Sequence, residues 1–480
     1  MRTTIACGIA LSVLALASAQ VREVWRYVYT PPQNDFAAQM TRAVRLSDGG
    51  LMLLGWVETP LNGRDALAIR LLPDGTQAWV YQLDGAGFDD AFVDAVERAN
   101  ELRLLGQFTD ADGYLFAQVH HLTPAGQPSA VFTLARTPNA HLRPLRFLYF
   151  DGLFVAAEEV ASGVSRAIFY EDNFTNYILF NRVNIRPWGV ITNQTPVYDF
   201  LYGSVASSNT AIDTAYMAAD SAIFRYSGAA RGVDIPAAGV KNPVFPEDVV
   251  GIQSEGGYTG EDVVLIYHLY GSTLWGYRYS YLWHDDYAES LAMDVQENVY
   301  LLVKTVLWRG DPFERYTLRL ARFSNNGRLL SDAELVDGGQ PSLSGIVRVN
   351  PAGQRYVAVS GAFHPARFLM RVNASGQPLW RFPITIEPEA LFAEPDGSLL
   401  VAGTLTTEVD YYNRFQQMAA VKYAPSGDID GNGCVDDADL LQALFVFGQQ
   451  GADLAADLNG DGVVDDADLL QVLFAFGQGC

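Results

Sequence analysis

From Val24 to Tyr423 the apolar positions come in short runs of Val, Ile, Leu, Tyr and Phe, broken by turns rich in Gly, Pro, Asn and Asp. Such runs read as strands rather than helices. The turns share a form: "LSDGGLMLLG" at Leu46, "LLPDGTQAWVYQL" at Leu71, "LTPAGQPSAVFTL" at Leu122, "VNPAGQRYVAVSG" at Val349, "VNASGQPLWRFPI" at Val372 and "EPDGSLLVAGTL" at Glu394. A Pro or Asn just before a Gly suits a tight turn, because Pro fixes φ and Gly accepts positive φ. Two kinds of turn alternate. One precedes a strand that ends in Gly, and the other links two strands in a hairpin. Pairing them gives a unit of about 50 residues with about four strands. Units begin near Trp25, Trp79, Val131, Tyr177, Gly232, Trp275, Ala333 and Trp380, and they are degenerate between Tyr177 and Tyr270.

A repeat of this length with four strands per unit is the signature of a β-propeller, here of about seven or eight four-stranded blades. Two or three stacked β-sandwiches are the competing reading, and the even period disfavours them. After Tyr423 the pattern changes. Leu440, Leu441, Leu444 and Phe445 follow helical spacing, as do Leu469, Leu470, Leu473 and Phe474. Leu441, Leu444, Leu470 and Leu473 are assigned to the core of a small all-α unit, and Phe447 and Phe476 are candidate exposed contacts. At the other end, Arg2, the apolar run Ile5 to Leu16 and the small residues Ala17-Ser18-Ala19 read as an export signal. That run is too short to span a bilayer. The expected organisation is a signal at 1–19, a strand-repeat body at 20–424 and a helical tail at 425–480, in a secreted or cell-surface protein with no transmembrane segment after signal removal.

Charge sharpens the division. The chain has 480 residues and a net charge of −23, which argues against nucleic acid as a partner, since phosphate binding needs clustered Lys and Arg. The tail holds 11 Asp and no other charged residue, about half of the excess. These Asp sit in a phrase written twice. "DIDGNGCVDDADLLQALFVFG" begins at Asp428 and "DLNGDGVVDDADLLQVLFAFG" at Asp457, with 15 of 21 positions identical. Counted from the first Asp, loop one places Asp428, Asp430, Asn432, Cys434, Asp436 and Asp439 at positions 1, 3, 5, 7, 9 and 12. Loop two places Asp457, Asn459, Asp461, Val463, Asp465 and Asp468 there. This is the spacing of an EF-hand calcium loop, with hard oxygen ligands, a backbone carbonyl at position 7 and Gly at 6. Position 12 is Asp rather than Glu, and no helix precedes loop one. Four carboxylates per loop repel one another until a cation neutralises them, so binding and folding should be coupled.

The half-hand, duplicated in tandem with Asp at position 12 of both copies, resembles the type I dockerin domain over the whole tail. The resemblance implies two bound Ca²⁺ and a non-catalytic docking role toward a cohesin-like receptor or cell-surface component. It also implies that positions 10 and 11, here Asp437, Ala438, Asp466 and Ala467, face the receptor. That acidic pair departs from the Ser-Thr-like residues common in the family. With the signal removed, only Cys434 and Cys480 remain. A lone pair in an oxidising compartment reads as a bridge, worth roughly 4 kcal/mol by loop closure; free thiols or an intermolecular bridge are the alternatives. The first and last units of the body, such as "VWRYVYTPPQNDFAAQMTRAVRLSDGGLMLLGWVE", are similar to the repeats of secreted bacterial propellers.

No motif in the body carries obvious chemistry. There is no nucleophile elbow, no H-E-x-x-H, no phosphate loop and no dinucleotide fingerprint. Glycosidic cleavage needs only two suitably spaced carboxylates. The cluster Trp283, His284, Asp285, Asp286 and Glu289 is the suggestive one. Asp35, Asp89, Asp90 and Asp286, however, read as one repeated position, which favours a turn-holding role. The expected function is therefore a binding or assembly protein whose body holds a carbohydrate or protein ligand and whose tail docks in a calcium-dependent way. A polysaccharide-cleaving hydrolase or lyase is the alternative.

Overall fold

The computed structural model describes residues 21–478 except 32–36, 60–62, 85–87, 99–100, 151, 162–163, 172–173, 175–176, 180–184, 192–199, 208–210, 218–222, 227–234, 242–246, 258–259, 270–271, 281–283, 308–313, 340–342, 362–366, 409–413, 431–433 and 460. The proposed signal at 1–19 and the unit start at Gly232 lie outside these residues.

The body is mainly β and propeller-like. Among the described residues its strands form eight four-stranded antiparallel sheets. We number them one to eight: strands within 38–83, 91–133, 141–179, 185–226, 235–279, 285–339, 344–383, and finally 387–425 with Val21–Val28. In sheets one to seven the strands follow sequence order. Sheet eight takes its fourth strand, Val21–Val28, from the start of the body, paired with Arg414–Pro425 from its end. The first strand of each sheet contacts the first strands of the sheets before and after it, and sheet eight contacts sheet one in the same way. First strands are therefore innermost and fourth strands outermost. Most unit starts read from the sequence fall on outer strands: Trp25, Trp79, Val131, Tyr177, Trp275, Ala333 and Trp380. The sequence repeat is thus offset by one strand from the structural sheet.

That offset has a physical cause in the tryptophans, which clasp one sheet to the next. Trp79, on the outer strand of sheet one, lies over Gly126 in the last hairpin turn of sheet two, and its Nε1 donates to Pro124 O at 3.1 Å. Gly126 has φ +79°, and a Cβ there would stand 2.6 Å from the indole. Trp25 over Gly75 and Trp275 over Gly327 repeat the contact, each with an indole N–H donated to a turn carbonyl. The turn glycine and the outer-strand Trp are one feature read twice.

A second repeated device shapes the centre. Seven of the eight inner strands shift register at the same place, after Met40, Phe92, Pro144, Pro187, Pro236, Ala288 and Pro388. Each skips one residue, a β-bulge that re-aims a side chain. In sheets one and eight a glycine on the second strand, Gly55 or Gly403, gives the inner strand room at this step. A Cβ on Gly403 would stand 1.8 Å from Glu387 O, so the inner strand of sheet eight could not approach any other residue there.

The tail has two helices, α1 (Asp437–Phe445) and α2 (Asp466–Ala475). Its core is Ile429, Val435, Ala443, Ala456, Leu458, Val464, Val472 and Ala475. The two halves interlock by the same bonds at equivalent positions. Gly448 N donates to Val464 O at 2.7 Å and Val464 N to Gln449 O at 3.0 Å; Gly477 N donates to Val435 O at 2.7 Å and Val435 N to Gln478 O at 3.0 Å. The expected core positions are corrected. Leu441, Leu444, Leu470 and Leu473 are about half exposed, at 50%, 46%, 48% and 46%, whereas Ala443 and Val472 are fully buried. Small residues face inward because the helices pack close to each loop, and the larger side chains are left outside. Among the described residues no helix is long and apolar enough to cross a membrane.

Gly126→Ala should lower stability by about 2 kcal/mol or more, from left-handed strain together with the indole clash. Trp79→Ala should cost a similar amount, because the ring is partly covered by the turn. The double variant should cost little more than the worse single one, since each change removes the other's partner. Full additivity in denaturant titrations would show that the clasp does not couple these residues.

Candidate functional site

The two acidic loops are built by helix capping. Asp436 and Asp465, at position 9, are N-caps that accept from Ala438 N and Ala467 N at 2.8 Å. Asp439 and Asp468, at position 12, complete a capping box in each helix. Asp439 Oδ1 also accepts from Ile429 N at 2.6 Å and Asp430 N at 3.0 Å, and Asp468 Oδ1 accepts from Leu458 N and Asn459 N in the same way. Each position-12 carboxylate is thus drawn over its own loop.

In loop one this brings one oxygen each of Asp428, Asp430 and Asp439 within 4.8 Å of one another. Calcium binds oxygen at about 2.3–2.6 Å, so oxygens sharing an ion stand no more than about 5 Å apart. The three carboxylates, with the Cys434 carbonyl at position 7, suit a hard divalent cation. Asn432 lies outside the described residues. In loop two Asp457 Oδ2 accepts from Gly462 N at 3.1 Å, and Asn459 and Asp461 bond each other. Burial pushes the Asp468 carboxyl above the ordinary range and Asp461 adds to that, while backbone donors oppose it. The ionised loop therefore carries a penalty that a cation would cancel.

Cys434 is disulfide-bonded. Cys480 lies outside the described residues; the Val435–Gln478 bond places Gln478 beside the residue that follows Cys434. Asp437, Ala438, Asp466 and Ala467 are exposed on the first turns of their helices. Along these helices and just past their ends lie Leu441, Leu444, Phe445 and Phe447, and Leu470, Leu473, Phe474 and Phe476, with Phe445 79% and Phe474 81% exposed.

In the body, the suspected acidic cluster disperses. Asp286 is fully buried and accepts from Thr305 Oγ1 at 2.6 Å. Asp90, also buried, accepts from Thr109 N at 3.0 Å. Both tie the start of an inner strand to the end of the second strand, which is a structural task. Asp285 is buried beside Asp286, and burial lowers the His284 imidazole while Asp285 opposes that. Glu289 pairs with Lys304 at 3.0 Å. Asp89 is exposed, and Trp283 and Asp35 lie outside the described residues. The acid that sequence reasoning misses is Glu389. It is the bulge residue of the sheet-eight inner strand, equivalent to Thr41, Val93 and Glu289. Its Oε1 accepts from Thr404 Oγ1 at 2.7 Å. The side chain is exposed to solvent, and desolvation by the protein around it, aided by Glu387, raises its carboxyl to about 7. Glu387 is held by Ser360 Oγ at 3.1 Å and Arg367 at 3.4 Å. Only the Pro-Glu bulge marks this pair in the sequence.

No protein-family model matches the sequence, and no curated protein matches it. Solved structures with some likeness include a eukaryotic initiation factor (TM-score 0.45, 11% identity, 80% of this chain and 90% of that one). A Dyadobacter fermentans protein of unknown function gives TM-score 0.40 at 11% identity over 84% and 99%, and polysaccharide lyase Uly1 gives 0.42 at 12% over 82% and 90%. Likeness at this level says nothing about activity.

Between 4.5 and about 7 the folded chain holds a proton on Glu389 that the unfolded chain has released, so this residue makes stability fall as pH rises through that window. Glu389→Gln should remove that part of the slope. The melting temperature of the variant should gain on the wild type between pH 4.5 and about 7 and hold a constant lead above it; a pH-independent difference would refute the assignment.

Proposed function

We propose that this is an exported binding and assembly protein, with a closed ring of eight four-stranded blades and a calcium-dependent, dockerin-like docking module at 425–480. The single observation that carries the reading is the tail's doubled outer face. Two loop–helix units satisfy each other's core and backbone, yet leave equivalent rows of Leu and Phe in water. Apolar rows rimmed by polar residues mark interaction surfaces. The acidic residues Asp437 and Asp466 border the rows, so the fitting receptor is a cohesin-like protein surface with an apolar centre and basic or donor groups at its edge. Two Ca²⁺ would sit in the loops, held by the position 1, 3, 5, 9 and 12 side chains and the position 7 carbonyls. A Cys434–Cys480 bridge would secure the chain end against loop one. The body would hold a carbohydrate or protein ligand.

Glu387 and Glu389 favour a second reading, polysaccharide cleavage by the body, because a Glu-x-Glu pair occurs on one inner strand only among the described residues. Release of sugar from a polysaccharide panel, abolished by Glu389→Gln, would establish it; no turnover on any substrate would leave the binding role.

Calorimetry on the full chain should show two Ca²⁺ bound per molecule, and chelation should lower the melting temperature. Phe445→Asp with Phe474→Asp should leave stability within about 0.5 kcal/mol, since both rings are exposed, but should abolish capture by a receptor that holds the wild type. A chain indifferent to calcium would overturn the docking reading.

A further inference from the structure

The tail does not hang free of the body. Its segment 452–459 lies on the turns of sheets seven and eight. Gln354, in the first turn of sheet seven, is 1% exposed, and its Nε2 donates to Asp457 Oδ2 at 2.9 Å. The orientation of that amide is dictated. Its Oε1 already accepts from Tyr356 Oη at 2.6 Å and Asn350 Nδ2 at 2.8 Å, so only the NH₂ end can face Asp457. Arg371 donates to the carbonyls of Ala452 and Leu454 at 3.0 Å. Arg355 forms an ion pair with Asp453, whose other oxygen accepts from Ala374 N at 3.2 Å. Gln354 and Arg355 also depart from the repeat. The equivalent residues in sheet one are Gly50 and Leu51, and in sheet eight Ser398 and Leu399. A charged residue has replaced an apolar one at the turn that meets the tail.

Asp457 is position 1 of loop two, so a buried side chain of the body is bonded directly to a carboxylate that the calcium reading makes a ligand. We infer that the body acts as the outer coordination shell of loop two, with Gln354 as the positioning residue for Asp457, so that cation binding there and docking of the tail onto the body form one linked equilibrium. The inference rests on the calcium reading above and adds an asymmetry that the duplicated sequence does not contain, because the one Gln354 amide is committed to loop two. Linkage is reciprocal: whatever factor docking adds to affinity at loop two, calcium adds to docking. Loss of the cation would loosen the tail at 452–459 and release the fixed direction in which its apolar rows point.

The test is a calcium titration of the full chain with hydrogen exchange on the same samples. Gln354→Ala should weaken one of the two binding events by about tenfold, as loss of an outer-shell partner does, and leave the other unchanged. Amides of 452–459 should be protected by calcium in the wild type and not in the variant. Asp453→Ala gives a second route. It removes the Arg355 pair from the solvent side, changes none of the twelve loop positions and no buried residue of the body, and should shift the same event. Two events unaltered by both variants, or both weakened equally, would overturn the inference while leaving the calcium reading intact. A wild-type chain that binds no calcium would overturn the calcium reading itself, and the inference with it.

Discussion

Sheets one, two, six, seven and eight of the body are apolar on both faces, and this is the constraint on which the rest of the molecule depends. Leu51, Leu53, Leu67 and Ile69 of sheet one pack against sheet eight, while Met52, Leu54, Ala66 and Ala68 pack against sheet two. A sheet with a neighbour on one side only would leave such a face in water, at about 25 cal/mol for every Å² exposed. The strand Val21–Val28 solves the problem at the seam. By pairing with Arg414–Pro425 it makes sheet eight from both ends of the body, so sheet eight covers sheets seven and one together. Joining segments from opposite ends of the body costs loop entropy that grows only logarithmically with length, so two apolar interfaces outweigh it easily.

That pairing also decides where everything else sits. The register Val21↔Pro425 ends the terminal pair at the point where the tail begins. The tail therefore emerges beside the turns of sheets seven and eight, and a short connection through Ser426 and Gly427 suffices to lay 452–459 on them. Glu387 and Glu389 stand at the opposite end of the same sheet's inner strand, since Ala393 leads into the turn that meets the tail. The turn that meets the tail and the Glu387–Glu389 pair thus lie at opposite ends of this inner strand.

Much of this is legible in the sequence because it is repeated. The glycine turns, the outer-strand Trp and the four-strand period each recur, and recurrence reveals geometry without homologues. The sequence misplaces the sheet boundaries by one strand because a Trp marks where a sheet ends, and nothing in composition separates the end of one sheet from the start of the next. The helix core is misplaced for a different reason. Leucine at helical spacing predicts an inward face, yet the inward positions here are Ala443 and Val472, and Leu441 and Leu470 are left about half exposed. Glu389 is invisible because its environment comes from a bulge. The Gly403 that accommodates this bulge belongs to the neighbouring strand, beyond an intervening turn.

The duplicated tail shows why sequence symmetry is a weak guide to equal roles. Equivalent residues do the same work inside the unit: the caps, the core pairs and the crossed backbone bonds all match. What distinguishes loop two is imposed from outside, by Gln354 and Arg371 reaching Asp457 from the body. A two-fold unit placed against a body that lacks the same two-fold cannot meet it in the same way with both halves. A bond from a buried amide fixes one carboxylate of one loop in place, and the ordering of that loop becomes part of the ordering of the body. Equivalent sequences in one chain thus acquire different physical environments, and the difference is carried by residues of the body that no alignment of the two loops would bring to notice.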